Sequence, residues 1–206
     1  MIQIGSSGTR VIAKWGDTLK GVEACSSRPK AMGIYNSVGE PVFDSPILDA
    51  CDGFPILFSN RGGVQKCFYE HALSIGIPVR LNARVNEYFE DENCAGVIIG
   101  DEKIRADAVI CADGIHSYGR RYVTGIPQVA RTSGFAVYRS WFPLQRMAAN
   151  PLTKHFTEAN EDLLMMWVGK DTHVNLVILP KPQGAVVFVT HKVMTLDYTL
   201  WKCFTI

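Results

Sequence analysis

Residues 106–121, ADAVICADGIHSYGRR, set an Asp-Gly pair, a serine and two arginines directly after an apolar run. Asp113 can accept hydrogen bonds from ribose hydroxyls or from backbone amides. Gly114 has no Cβ, so the main chain can turn sharply there and approach a ligand closely. Ser117 is spaced as the N-cap of a following helix. The first turn of such a helix offers free N–H groups, which suit phosphate, and Arg120 and Arg121 add positive charge. This is nucleotide-binding chemistry at the carboxyl end of a strand, where ligands of open α/β sheets collect. A strand-to-helix turn with no ligand uses the same Asp-Gly pair and the same serine cap, so that reading stands beside the first. A hydrolytic triad of Asp113, His116 and Ser117 does not: the three share one turn, and no G-x-S-x-G is present.

Elements must carry this turn. Residues 8–20 place Val11, Ile12, Trp15 and Leu19 at helical spacing, with a break and restart at Gly16-Asp17. MGIYNSVGEPVF (32–43) predicts two strands around an NSVGE turn. Residues 61–75 predict a helix whose apolar stripe is Val64, Cys67, Phe68, Ala72 and Ile75, closed by Gly76 and Pro78. Short strands are expected next, from Val79, Leu81 and Val85, then AGVIIG, then KIRADAVICA after the turn GDEK. AVICA (108–112) is apolar on both faces and predicts a fully buried parallel strand. Beyond Gly125-Ile126-Pro127 the pattern changes to strands at 134–142, 163–169, 173–180 and 184–191, with a short helix at 144–150. A domain change is placed near residue 126.

Composition bounds the function. The 206 residues are 47% hydrophobic and 20% charged with net charge +1, ordinary values for a soluble globular chain of one or two domains. Scattered Lys and Arg exclude a dedicated nucleic-acid surface. Apolar runs such as LLMMWV are too short for a membrane-spanning helix, and the N-terminus has no secretory pattern. Cys25, Cys51, Cys67, Cys94, Cys111 and Cys203 form no metal-type spacing with the five histidines. They are expected to be reduced thiols of a cytoplasmic protein without a bound metal.

DAVICADGIHSYGR (107–120) resembles the DG motif of the FAD-dependent aromatic hydroxylases, the group A flavoprotein monooxygenases, and more narrowly their fungal salicylate-hydroxylase-like members. TRVIAKWG (9–16), NRGGVQKCFYEHALSIGIPVRL (60–81), SGFAVYRSWFP (133–143) and WVGKDTHV (167–174) resemble further family segments. The likeness runs from about residue 2 to 192. It implies an α/β fold: a partial Rossmann-like FAD-binding domain with a β-meander (1–25 and 56–126) and a partial antiparallel substrate domain (26–55 and 127–206). It implies that Asp113 and Gly114 lie near the FAD pyrophosphate and ribose, that Arg61 and Gln65 face the ribityl-phosphate segment, and that the backbone at Val85 lies near the adenine. Read without the resemblance, Arg61 and Gln65 are surface residues of a helix. NAD(P)H is the implied co-substrate and a small aromatic molecule the implied substrate. No catalytic side chain is assigned, because the cofactor carries the chemistry.

Two family motifs have no counterpart. GSSGTR (5–10) lacks the G-x-G-x-x-G spacing and has no adequate strand before it, and no Gly-Asp motif of the GDAAHP type occurs. The resemblance therefore implies a chain truncated at both ends, with the opening βαβ unit ahead of Met1. The alternative function is an inactive fragment or binding module of low stability. Tyr138, Trp141 and Trp167 are candidates for an aromatic pocket, with core packing as their ordinary use, and Arg139 for a cleft residue or a solvent-facing one.

Overall fold

A computed structural model describes residues 1–126, 132–181 and 183–193. Cys203, the tail after Val193, Pro127 at the expected domain change and Pro182 between the last two strands lie outside the described residues. In chain order the elements are β1 (Ile2–Ile4), α1 (Ser6–Ile12), α2 (Thr18–Ala24), β2 (Ser26–Ser27), β3 (Ala31–Asn36), β4 (Pro41–Pro46), β5 (Ala50–Cys51), β6 (Phe54–Pro55), β7 (Leu57–Ser59) and α3 (Arg61–Ser74). There follow β8 (Glu87–Glu90), β9 (Ala95–Ile99), β10 (Glu102–Ala106), α4 (Tyr118–Thr124), β11 (Phe135–Pro143), α5 (Gln145–Ala148), α6 (His155–Glu158), β12 (Leu163–Gly169), β13 (Thr172–Leu179) and β14 (Gly184–Lys192). The mixed α/β class expected from the sequence is present. The chain divides into two compact units, one of Met1–Ile77 with the chain from Gly134 onward, the other Pro78–Ser133.

In the first unit, a small antiparallel sheet in the order β1-β7-β2 is covered by α1, α2 and α3. Ile12, Val22, Leu57 and Val64 form its core, with Ile2, Ile4, Leu19, Cys67 and Phe68 packed around them. The helix break falls where Gly16-Asp17 predicts it. A short strand does precede GSSGTR, but β1 has three residues and runs antiparallel to β7. The α3 stripe is buried at Val64 and half-buried at Cys67 and Phe68. Ile75 lies just past the helix end and is exposed, because Gly76 adopts φ 78° and turns the chain away.

The same unit holds a six-stranded sheet in the order β11-β14-β13-β12-β3-β4. All its pairs are antiparallel except β12 with β3. Side chains alternate between faces along each strand. One face carries Leu176, Ile178, Ala185, Met165 and Trp167, roofed by Leu144 and Met147 around α5 and Phe156 of α6. The other carries Val177, Leu179 and Val186 with Leu164 and Phe188. The paired apolar strands are thus buried on both sides over part of their length.

In the second unit, β10-β9-β8 form an antiparallel meander followed by α4. Two expectations fail here. Residues 79–86 form no strand: Asn82 takes φ 55° in a turn, and Leu81 is exposed. A bidentate ion pair of Arg80 with Glu102, at 3.1 and 2.8 Å, links this stretch to β10 instead. AVICA is not a buried parallel strand either. Val109 and Cys111 are half-buried, while Ala108, Ile110 and Ala112 face outward, Ile110 being 92% exposed. A parallel strand needs hydrogen-bonded neighbours and a cover on each face. Among the described residues no strand pairs with 108–112, so only one side of the run is covered.

Replacing Ile178, fully buried between β12 and β14, with alanine should cost about 2–5 kcal/mol through lost burial and the cavity left behind. Val42→Ala on the exposed edge strand β4 should stay within about 0.5 kcal/mol. Urea unfolding of both variants tests the assignment of the core.

Candidate functional site

The Asp113 carboxylate is met by four donors. The Ser117 hydroxyl donates to Oδ1. Oδ2 accepts from the Tyr118 amide at 2.9 Å, the Gly119 amide at 3.1 Å and the Tyr88 hydroxyl at 3.2 Å. Ser117 also caps α4, its Oγ accepting from the Arg120 amide at 2.9 Å. The N-cap predicted from the sequence is present, but the free N–H groups are not: those of residues 118–120 are all engaged. A carboxylate one short turn before a helix lies within reach of the helix's first amides, and charge-assisted bonds there outcompete water. The Ser117 hydroxyl and then the Gly119 amide hold the Asp113 carboxyl at about 2, well below the usual carboxylate range. Burial and then the bond to Asp113 push the Tyr88 phenol up to about 12, so it stays a donor through neutral pH.

Gly114 has φ 83°, the left-handed region where a side chain would be strained, and nothing lies within 4 Å of the position a Cβ would take. Its carbonyl accepts from the Ser117 amide at 3.1 Å and from the Arg120 guanidinium at 3.3 Å. The turn borders an open cavity of about 590 Å³ lined by Cys111, Asp113, Gly114, Ser117, Arg120 and Val123, among others. Gly119 is required by close packing. A Cβ there would fall 2.3 Å from Cys111 Sγ and 3.2 Å from Tyr88 Cζ, so α4 rests directly on those two side chains. Neither Tyr88 nor Gly119 is among the site residues expected from the sequence; for Gly119 the available signal is a glycine at the second position of the helix after Ser117.

Arg61 and Gln65 lie one turn apart at the start of α3, both exposed, with Asn60 capping the helix by accepting from the Gly62 amide at 2.7 Å. They belong to the first unit. Val85, half-buried and just ahead of β8, belongs with Asp113 and Gly114 to the second. The aromatic candidates separate by strand alternation. Trp167 stacks on Tyr35 at 5.3 Å and packs in the roofed core, and Tyr138 shares that face, stacked on His191 at 5.5 Å. Trp141 points the other way, over Gly184. Arg139 is on the Trp141 face, exposed, with its guanidinium 5.3 Å from the Phe188 ring centre. A larger groove of about 800 Å³ in the first unit is lined in part by Arg28, Tyr35, Asp44 and Asp162, and Arg28 there pairs with Glu23 and Asp49. The five described cysteines carry free thiols, and among the described residues no helix is long and apolar enough to cross a membrane.

No family model matches the chain. It is 34% identical over 195 residues to the FAD-dependent monooxygenase nodY2 of Hypoxylon pulicicidum, covering 93% of this chain and 42% of that protein. It is 35% identical over 198 residues to the Asperlicin C monooxygenase of Petromyces alliaceus, again covering 93% and 42%. Among solved structures it is similar to CtdE in complex with FAD and substrate 4, with a TM-score of 0.87 and 26% identity, covering 95% of this chain and 48% of that one. The chain spans less than half the length of the curated relatives it matches.

Asp113 has a depressed folded pKa, so its hold on α4 is complete above the unfolded value near 3.9 and is lost as pH falls through about 2. Hydrogen exchange should show protection of the Tyr118 and Gly119 amides falling over that window. Asp113→Asn should lower their protection at pH 7 and flatten the pH dependence. Unchanged protection in the variant would mean the helix start is held by something else.

Proposed function

The chain belongs to the FAD-dependent monooxygenase family, and from that premise we propose that it forms part of an NAD(P)H-using enzyme that hydroxylates a small aromatic molecule. The observation that carries this reading is the Asp113–Gly114 turn. It combines a side-chain-free, left-handed main-chain position, an adjacent cavity and a guanidinium bonded to the turn. These features suit the pyrophosphate and ribose of FAD, which need close backbone approach and positive charge. Asp113 itself serves by holding the turn, since its oxygens are engaged by the protein.

Arg61 and Gln65, side by side on α3, are assigned to the ribityl-phosphate segment, and the backbone at Val85 to the adenine. The division of 1–25 with 56–126 around the cofactor and 26–55 with 127–206 around the substrate belongs to the same proposal; strand pairing bears on it only at β3 and β4 and at β1 and β7, and β2 pairs with β7 across that division. β3 and β4 pair into the sheet of β11–β14, while β1 and β7 pair with each other. FAD, when bound, supplies reduction by NAD(P)H, reaction with oxygen and transfer of one oxygen atom. The chain's part is to bind it, to hold a flat ring against the sheet face that carries Arg139 and Trp141, and to exclude water. A cytoplasmic setting belongs to the same reading, supported by the free thiols.

Purified chain should retain FAD after desalting, seen in flavin absorbance and fluorescence. Asp113→Ala should weaken retention about tenfold or more, through loss of the ordered turn. Flavin retained without NAD(P)H oxidation would favour the alternative, a binding module. A folded chain that takes up no flavin would overturn the cofactor assignment.

A further inference from the structure

The bonds around Asp113 are of two kinds. Ser117, Tyr118 and Gly119 lie within six residues of the carboxylate, on the helix that follows it. They fix the carboxylate to α4, but they cannot fix the turn to the sheet, because turn and helix would move together. The Tyr88 hydroxyl comes from 25 residues away, on β8. β8 is itself pinned by its ladder to β9, with Tyr88 opposite Val97. The Tyr88 ring is half-buried and tilted against Tyr122 of α4 at 6.1 Å. It also touches the space above Gly119, where Cys111 of the preceding apolar run is wedged. One side chain therefore reaches the run before the turn, the carboxylate in it and the helix after it.

We propose that Tyr88 is a positioning residue for the cofactor turn: its phenol locks the Asp113 carboxylate to the meander and so sets where the Gly114 main chain faces the cavity. The reading rests on the FAD assignment above. It accounts for features that the Asp-Gly motif alone leaves unexplained. The 108–112 run has no ladder partner among the described residues, and the Tyr88 hydroxyl ties the turn that follows it to β8. Gly119 is its structural complement, since any side chain there would lift α4 off Tyr88 and Cys111.

Tyr88→Phe in the full chain tests this, because it keeps the ring and its packing and removes only the hydroxyl. The titration of the Asp113 carboxyl, followed by ¹³C NMR, should move up from about 2. The dissociation constant for FAD should rise about tenfold while Tm stays near that of the parent chain. Tyr122→Phe, which removes the hydroxyl of the neighbouring ring, should move neither. An Asp113 titration that does not shift overturns the proposal, as does a shifted titration with unchanged FAD affinity. If the parent chain binds no flavin, the functional reading fails, and the titration alone then decides whether Tyr88 holds the turn.

Discussion

The second unit is organised by one constraint at a helix end: the first amides of a helix need acceptors, and Asp113 supplies them for two. Without the carboxylate, the amides of Tyr118 and Gly119 would turn to water and α4 would lose its start. With it, helix, turn and apolar run become one block, and the close approach of Gly119 to Cys111 and Tyr88 becomes possible. The same carboxylate cannot also serve freely as a ligand group. In this turn the acidic side chain is committed to holding the helix start, and the glycine beside it leaves a bare, left-handed main-chain position.

The first unit solves a different problem. Its six-stranded sheet is apolar on both faces at β13 and β14, where Val177, Ile178, Leu179, Ala185 and Val186 are all nearly inaccessible. Burial on both sides makes the register strict, since a slip of one residue would exchange the two faces. That strictness places Arg139 and Trp141 on one face and Tyr138 and Trp167 on the other. The Arg139 face is set by alternate residues of β11 and β14, and the interleaved Phe142 and Val187 pack against the core under α5 and α6.

Most elements were legible because their signals are local. The break at Gly16-Asp17, the NSVGE turn, the Gly76 terminus of α3 and the four strands after Gly134 each follow from spacing or from the φ preferences of a few residues. The errors were non-local. AVICA has the composition of a buried strand, but composition cannot supply a neighbour to pair with. Val79, Leu81 and Val85 alternate, yet the left-handed Asn82 turns the chain between them. The free amides assigned to the α4 start were already claimed by a carboxylate that the sequence shows only as a nearby residue.

The sequence by itself determined the boundaries of the long elements, the serine cap on α4 and the Asp-Gly turn before it, since each depends on residues within about one turn of one another. Only the tertiary structure decided which groups satisfy Asp113, that Tyr88 is one of them, and which aromatics share a face. Those outcomes depend on strand pairing and helix packing between residues tens of positions apart, and a one-dimensional pattern carries no distance across that gap.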